Sequence, residues 1–183
     1  MNPTIRTHLD NVRSADAQLQ NQAFTELLAA TGEPVDWAYA AWDELLAGLT
    51  HKDNHVRAIS AQLLCNLAKS DPKRRMLKDF DALLNVTRDE RFVTARHTLQ
   101  ALWKVGAAGE QQERKLLEGL EQRFQECVHE KSGTLIRYDI LQSMRNLYDA
   151  TKHDSIRSRA LELIETEQDA KYKKKYTTLW KNL

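Results

Sequence analysis

What is scarce in this chain of 183 residues narrows it before any motif is sought. It holds six glycines and three prolines, too few for the turn-rich pattern of a β-sandwich or barrel. Strand-favouring residues are thin as well: 7 Val and 6 Ile stand against 25 Leu and 20 Ala, which excludes an all-β fold and favours helices. The two cysteines, Cys65 and Cys127, lie 62 positions apart, so there is no CxxC pair and no disulfide framework. Both sit in helical patterns and read as small buried or half-buried thiols in a reducing cytoplasm. No run approaches the 18 apolar residues of a membrane span, and Met1 to Asp10 has no apolar core of a secretory signal. A cytoplasmic location without membrane contact is therefore expected. Charge of one sign is lacking too: 27 Lys and Arg face 26 Asp and Glu, which gives no general pull toward nucleic acid or anionic lipid.

What is present is regular. Apolar residues make up 42% of the chain and charged residues 29%, as in a folded globular protein. Gly32-Glu-Pro34, Asp71-Pro72, Gly106-Ala-Ala-Gly109, Ser132-Gly133 and Lys152-His-Asp154 break the helical periodicity. Pro34 and Pro72 are read as first-turn prolines, with Asp71 as an N-cap. Ten helices follow, at 3–13, 16–31, 35–50, 54–70, 72–87, 90–105, 110–128, 134–150, 155–167 and 170–182. Their short connections predict antiparallel neighbours.

The pairs repeat. Asp53-Asn-His-Val56-Arg57, Ala61, Gln62, Leu64, Asn66 and Leu67 find counterparts 80 positions later in Ile136-Arg137, Leu141, Gln142, Met144, Asn146 and Leu147. Ile156-Arg157, Leu161 and Ile164 match at an offset of 100, and Asp89 falls 36 residues after Asp53. Asp16 precedes Asp53 by 37. First helices repeat also, Leu45-Leu46-Ala-Gly-Leu49 matching Leu116-Leu117-Glu-Gly-Leu120. A two-helix unit recurring every 36 to 37 residues is the signature of an α-solenoid, because one pair cannot bury its apolar face alone. The expected fold is all-α, a right-handed α-α superhelix of about five antiparallel pairs. The whole chain, 1–183, reads as one domain with repeats near 3–31, 35–70, 71–106, 110–150 and 154–183.

The pattern Asp-x-x-Val-Arg-x-x-x-Ala-x-x-x-x-x-Leu opening the second helix resembles a HEAT repeat, most clearly over 35–105 and 134–165. Armadillo-type stacking is the nearest relative of that arrangement. The resemblance implies a structural ladder of hydrogen bonds between adjacent repeats, its places filled here by Asp53, Arg57, Asp89, Arg137, Asp154 and Arg157. The chain departs from the pattern at Val93, which stands where an arginine belongs, and before Ile136-Arg137, where no Asp precedes. The fourth unit carries an insertion near Gln125–Lys131.

Motifs for catalysis, metals or cofactors are weak. His51-Lys-Asp-Asn-His55 spans a helix junction and lacks the glutamate of a zinc-hydrolase helix, and Cys127-Val-His129 has no second ligand pair. Gly106-Ala-Ala-Gly109 lacks the Lys-Ser/Thr of a phosphate loop, and no Gly-x-Ser-x-Gly elbow occurs. No catalytic residue, cofactor or metal is expected. Among the tryptophans, Trp42 and Trp103 lie on apolar stripes, whereas Trp37 lies off its stripe and reads as the most exposed. Three features keep an alternative open, a nucleic-acid-binding or alkyl-base DNA repair protein of HEAT-like fold: the resemblance itself, the tryptophans, and Lys171-Tyr-Lys-Lys-Lys-Tyr-Thr-Thr-Leu-Trp180. The five lysines from Lys171 onward leave 22 bases against 26 acids, a charge of −4, in residues 1–170. Lys173, Lys174 and Lys175 would contact phosphates. The competing reading packs Tyr172, Tyr176, Leu179, Trp180 and Leu183 inward, with the lysines pointing out.

In a solenoid of this kind the second helix of each pair lines the concave face. The positions opposite the core are Asn21, Thr25, Ala58, Gln62, Asn66, Thr94, Thr98, Tyr138, Gln142 and Arg145. That set is polar, rich in amides and nearly free of cations, whereas a groove tracking phosphates is strongly basic. It fits an extended peptide or another protein surface, whose backbone amides Asn and Gln can bond. The leading expectation is a non-catalytic scaffold or adaptor that binds another protein.

Overall fold

The computed structural model describes residues 1–181. Ten α-helices are present among the described residues, and no strand: α1 Pro3–Asn11, α2 Ala17–Ala30, α3 Ala38–Gly48, α4 Asn54–Leu67, α5 Met76–Asn85, α6 Phe92–Gly106, α7 Glu110–Glu126, α8 Gly133–Thr151, α9 Asp154–Glu165 and α10 Ala170–Leu179. Starts are set by capping. Asn2, Asp16, Asp53 and Asp169 each accept a hydrogen bond from a backbone N–H of the first turn of α1, α2, α4 and α10, satisfying donors that have no intrahelical partner. Several ends tighten into 3-10 turns, at Ala68–Ser70, Val86–Arg88 and Cys127–His129. Lys152 closes α8 in the left-handed conformation, with φ at 59°.

Two expected starts are corrected. α3 begins at Ala38, so Pro34 lies ahead of the first turn; Val35 is held by donating its N–H to Ser70 Oγ at 2.9 Å. α5 begins at Met76, not at Pro72, because Arg74 adopts a left-handed φ of 55° that interrupts the helix. Asp71 is not the N-cap residue, but it performs the capping from a distance. Its carboxylate accepts from the Arg75 and Met76 N–H groups at 2.9 and 2.7 Å, and from the Tyr39 hydroxyl.

The chain forms two compact units, Met1–Ala101 and Leu102–Leu183. In the first, α1 packs on α2 and α3 on α4, while α2 meets α4 and α3 meets α5. In the second, α7 packs on α8 and α8 on α9, while α7 meets α9 and α8 meets α10. These contacts join helices that are sequence neighbours or two places apart, a pattern compatible with a helical repeat arrangement inside each unit. Leu27, Trp42, Leu45, Leu63, Leu67 and Phe80 centre the first core; Phe124, Ile140, Met144, Leu147, Ile156 and Tyr176 centre the second. Cys65 and Cys127 are buried thiols in these cores with no disulfide between them, and burial pushes the Cys127 thiol above its ordinary range.

Candidate functional site

The N-terminal halves of α2 and α4 border a groove of about 310 Å³, with His97 of α6 at its edge. Ala17, Phe24, Ala58 and Ile59 supply apolar wall and floor, and Gln20, Asn21, Gln62, His55 and His97 supply polar groups. Sequence logic explains the arrangement. Ala23 and Leu27 turn into the core, which leaves Asn21, Phe24 and Thr25 on the outer part of α2. On α4, residues 58 to 61 are all buried, so the floor is sealed by small and aliphatic side chains. Gln20 is committed, its amide donating to the Val12 carbonyl at 2.9 Å. Gln62 donates to the Ala58 carbonyl at 3.1 Å, which leaves its own side-chain carbonyl oxygen facing outward chemistry. The groove offers a non-ionic surface with hydrogen-bonding groups at its edge, which is chemistry for holding a ligand.

Of the proposed concave-face residues, the structure brings Asn21, Ala58 and Gln62 together at this groove, and Thr25 lies exposed one turn beyond Asn21. Asn66, Thr94 and Thr98 are corrected. They are only 5%, 1% and 0% exposed, so a partner cannot reach them. Their side chains serve the protein itself: Asn66 donates to the Thr31 hydroxyl, Thr94 to the Asn54 carbonyl and Thr98 to the Thr94 carbonyl. Tyr138, Gln142 and Arg145 belong to the second unit and are half-buried with local partners. The Tyr138 ring lies under the Lys175 ammonium at 4.5 Å, Gln142 donates to Asn146 at 2.9 Å, and Arg145 pairs with Asp149 and caps the Leu179 carbonyl.

The six ladder positions divide. Arg57 forms a bidentate pair with Asp89, Nη2 to Oδ1 at 2.9 Å, and also donates to the His51 and Lys52 carbonyls, tying α4 to the segment entering α6. Asp53 caps α4 through the His55 N–H and faces the His55 ring at 3.5 Å. Arg137 finds no aspartate. Its guanidinium donates to Glu167 at 2.9 Å and to the Phe124 carbonyl at 3.0 Å, and it lies over the Phe124 ring at 4.4 Å. Asp154 is an exposed first-turn residue of α9, and the Arg157 Nε is buried with no hydrogen-bond partner among the described residues.

Burial by itself would raise the Asp89 carboxyl, but the Arg57 hydrogen bond, the Arg91 N–H and both guanidinium charges hold it below the usual range. Glu167 behaves alike: burial is outweighed by the Asp169 N–H and by Arg137. The insertion near Gln125–Lys131 is the 3-10 turn after α7 and the residues leading into α8. It is closed by Arg123, whose buried guanidinium pairs with Glu130 at 2.5 and 2.8 Å. Sequence pattern missed Glu167 and Glu130 because neither occupies the repeat's aspartate position. Phe24 and His97 were missed because each is one residue among many on an outer helix face.

The basic tail forms α10. Tyr176 and Trp180 are buried, and Tyr172 and Leu179 are half-buried; Leu183, the last residue of the expected stripe, lies outside the described residues. Lys173 pairs with Glu165 at 2.8 Å, Lys175 lies over the Tyr138 and Tyr172 rings, and Lys174 is exposed. Trp42 is fully buried and donates to Asp79 at 2.9 Å, as its stripe predicts. Trp37 and Trp103 are both half-buried, so Trp37 is less exposed and Trp103 less buried than expected. At the His51–His55 junction, the His51 Nδ1 accepts from the Asp53 N–H at 3.1 Å. Among the described residues no helix is long and apolar enough to cross a membrane.

No protein-family model matches the chain. No curated protein sequence matches it. Among solved structures it is similar to engineered proteins crystallised by the Northeast Structural Genomics Consortium. One aligns with a TM-score of 0.59 at 16% identity over 98% of this chain. A second has a TM-score of 0.58 at 17% identity, and a third 0.57 at 16%, each again over 98% of this chain. The chain spans 47% of the first of these proteins, and 78% and 79% of the other two. At such identities the likeness establishes a shared helical fold.

Proposed function

We propose that this chain is a non-catalytic, HEAT-like repeat scaffold that binds another protein through the concave face lined by its second helices. The observation carrying this reading is the groove of α2 and α4, where Asn21 and Gln62 border an apolar floor and no lysine, arginine or carboxylate lines the surface. Such a surface suits a polypeptide, whose backbone groups bond side-chain amides and whose apolar side chains need cover. The Arg57–Asp89 pair supports the HEAT-like reading, since it joins the motif arginine of one repeat to the motif aspartate of the next. On this reading both compact units belong to one array of repeats over 1–183, and the two unbridged, buried cysteines suit a reducing cytoplasm.

Selection of random peptides displayed on phage against the full chain tests the proposal, with the footprint of selected peptides mapped by NMR. The expected footprint includes Asn21 and Gln62. Failure to enrich any peptide, or footprints confined to other faces, would refute it. The nucleic-acid alternative is tested alongside with labelled duplex DNA and single-stranded RNA at physiological salt. Binding that disappears when Lys173, Lys174 and Lys175 are replaced by Glu would favour that alternative over the scaffold.

A further inference from the structure

Hollows among the described residues differ in the charge of their linings. The cleft of about 430 Å³ between α7 and α9 carries Glu121, Arg159 and Glu162, with Arg159 already paired to Glu121 at 2.9 Å. The hollow of about 200 Å³ at Tyr39 is lined with Lys73 and Arg75, the latter bound to Asp43 and Asp79. The groove on α2 and α4 has no formal charge in its lining apart from what its two histidines acquire on protonation.

We infer that this groove is an anchor pocket for one large, uncharged apolar side chain, such as leucine, methionine or phenylalanine, presented by a partner polypeptide. The inference rests on the protein-binding reading above and narrows it. Complementarity decides the chemistry. A cationic side chain entering the groove loses water and meets no carboxylate in its lining, because Asp16 and Asp53, adjacent to it in sequence, are spent on capping α2 and α4; an anionic one meets no lysine or arginine there. An unpaired charge in such a place is strongly disfavoured. An apolar side chain meets the half-buried Phe24 and the sealed floor of Ala58 and Ile59. Size decides that a side chain enters and not a main chain. At about 310 Å³ the groove is at the small end of ligand sites. A whole helix, roughly 10–12 Å across, cannot sink into it. The partner's backbone then runs along the rim, where the Gln62 carbonyl oxygen can accept an N–H and the exposed Asn21 and His97 add further polar contacts.

NMR titration of the full chain with four defined probes tests this: the methylamides of N-acetyl leucine, phenylalanine, glutamate and lysine. The leucine and phenylalanine probes should shift the amide signals of Phe24, Ile59 and Gln62, and bind at least about 10-fold more tightly than the charged probes. Ala58→Leu fills the floor and should abolish the shifts. Gln62→Lys, which leaves the core untouched, should weaken them about 10-fold should the first variant lose stability. Equal response to charged and apolar probes, or apolar shifts that survive both variants, overturns the inference. Selected peptides that footprint on Asn21 and Gln62 while none of the four probes reaches Phe24 or Ile59 would sink the anchor pocket and leave the scaffold reading standing. Absence of any peptide binder on that face would sink both.

Discussion

Each unit is tied by an arginine drawn from the same sequence motif, yet the two arginines find different acids. Arg57 meets Asp89, the motif aspartate that follows 36 residues after Asp53, with side chains 13% and 5% exposed. Arg137 meets Glu167, beyond the end of α9, with side chains 10% and 5% exposed. The difference teaches that what both units require is a compensated guanidinium, since an uncompensated buried charge is far more costly than the choice between Asp and Glu. It also shows how the second unit tolerates lacking an aspartate before Ile136-Arg137. The acid is drawn from another turn, and the Phe124 ring and carbonyl complete the arginine's surroundings.

Removing Arg137 should give the largest effect. Arg137→Ala leaves Glu167 buried without its cation and uncovers Phe124, a loss on the order of 3–5 kcal/mol in urea denaturation. Arg57→Ala should fall at the lower end of that range, because no aromatic ring is uncovered. The combined Arg137→Met, Glu167→Gln variant should recover much of the loss. A double variant no better than Arg137→Ala would contradict the view that compensation is what matters.

Close helix contacts extend the comparison. A Cβ on Gly48 would stand 2.9 Å from the Ser60 Cβ and closer still to its hydroxyl, so α3 approaches α4 there only because the residue is glycine. On Gly106 it would meet the methyl ends of Leu116 and Leu147 at 2.8 to 3.0 Å, which can turn aside. Gly48→Ala should therefore cost about 1–3 kcal/mol by thermal melting, and Gly106→Ala less. Ser60→Gly should relieve the first and leave the second unchanged.

Acid should act on both ties in the same direction. Asp89 and Glu167 have folded pKa values below their unfolded ones. Each therefore contributes stability that is complete above about pH 5 and is lost as pH falls through the folded value. Asp89→Asn and Glu167→Gln should flatten the decline of stability between about pH 5 and 2. A slope unchanged in either variant would remove that pair as the source. The smallest effect belongs to Lys173→Ala, since the pair with Glu165 is largely solvated; its unfolding free energy, measured by thermal melting, should match the wild type to within about 0.5 kcal/mol.

Helix number and type were legible because Ala and Leu recur at helical spacing and because Asp, Gly and Pro punctuate the chain. Each of the ten expected helices overlaps an observed one, with the starts of α3 and α5 shifted. The misplaced starts of α3 and α5 share one cause: proline was read as opening a helix, whereas Val35 and Asp71 bond to distant partners, Ser70 and Tyr39, that no local rule could name. The candidate groove was legible only in part, through Asn21, Ala58 and Gln62. Asn21 and Gln62 follow from the face opposite the core, while Asn66, Thr94 and Thr98 occupy the same nominal face and are buried. A helical wheel assigns one side of a helix to solvent; it does not know how many neighbours that side acquires.

By itself the amino-acid sequence determined the all-α class and the ten helices, since caps, breaks and apolar stripes act over a few residues and need no distant partner. Tertiary structure alone decided which acid answers each buried arginine, which polar side chains stay within reach of a ligand, and that Phe24, Ile59 and Gln62 share one uncharged groove. Those outcomes depend on residues about 30 to 40 positions apart meeting across packed helices, where desolvation and shape select the partner.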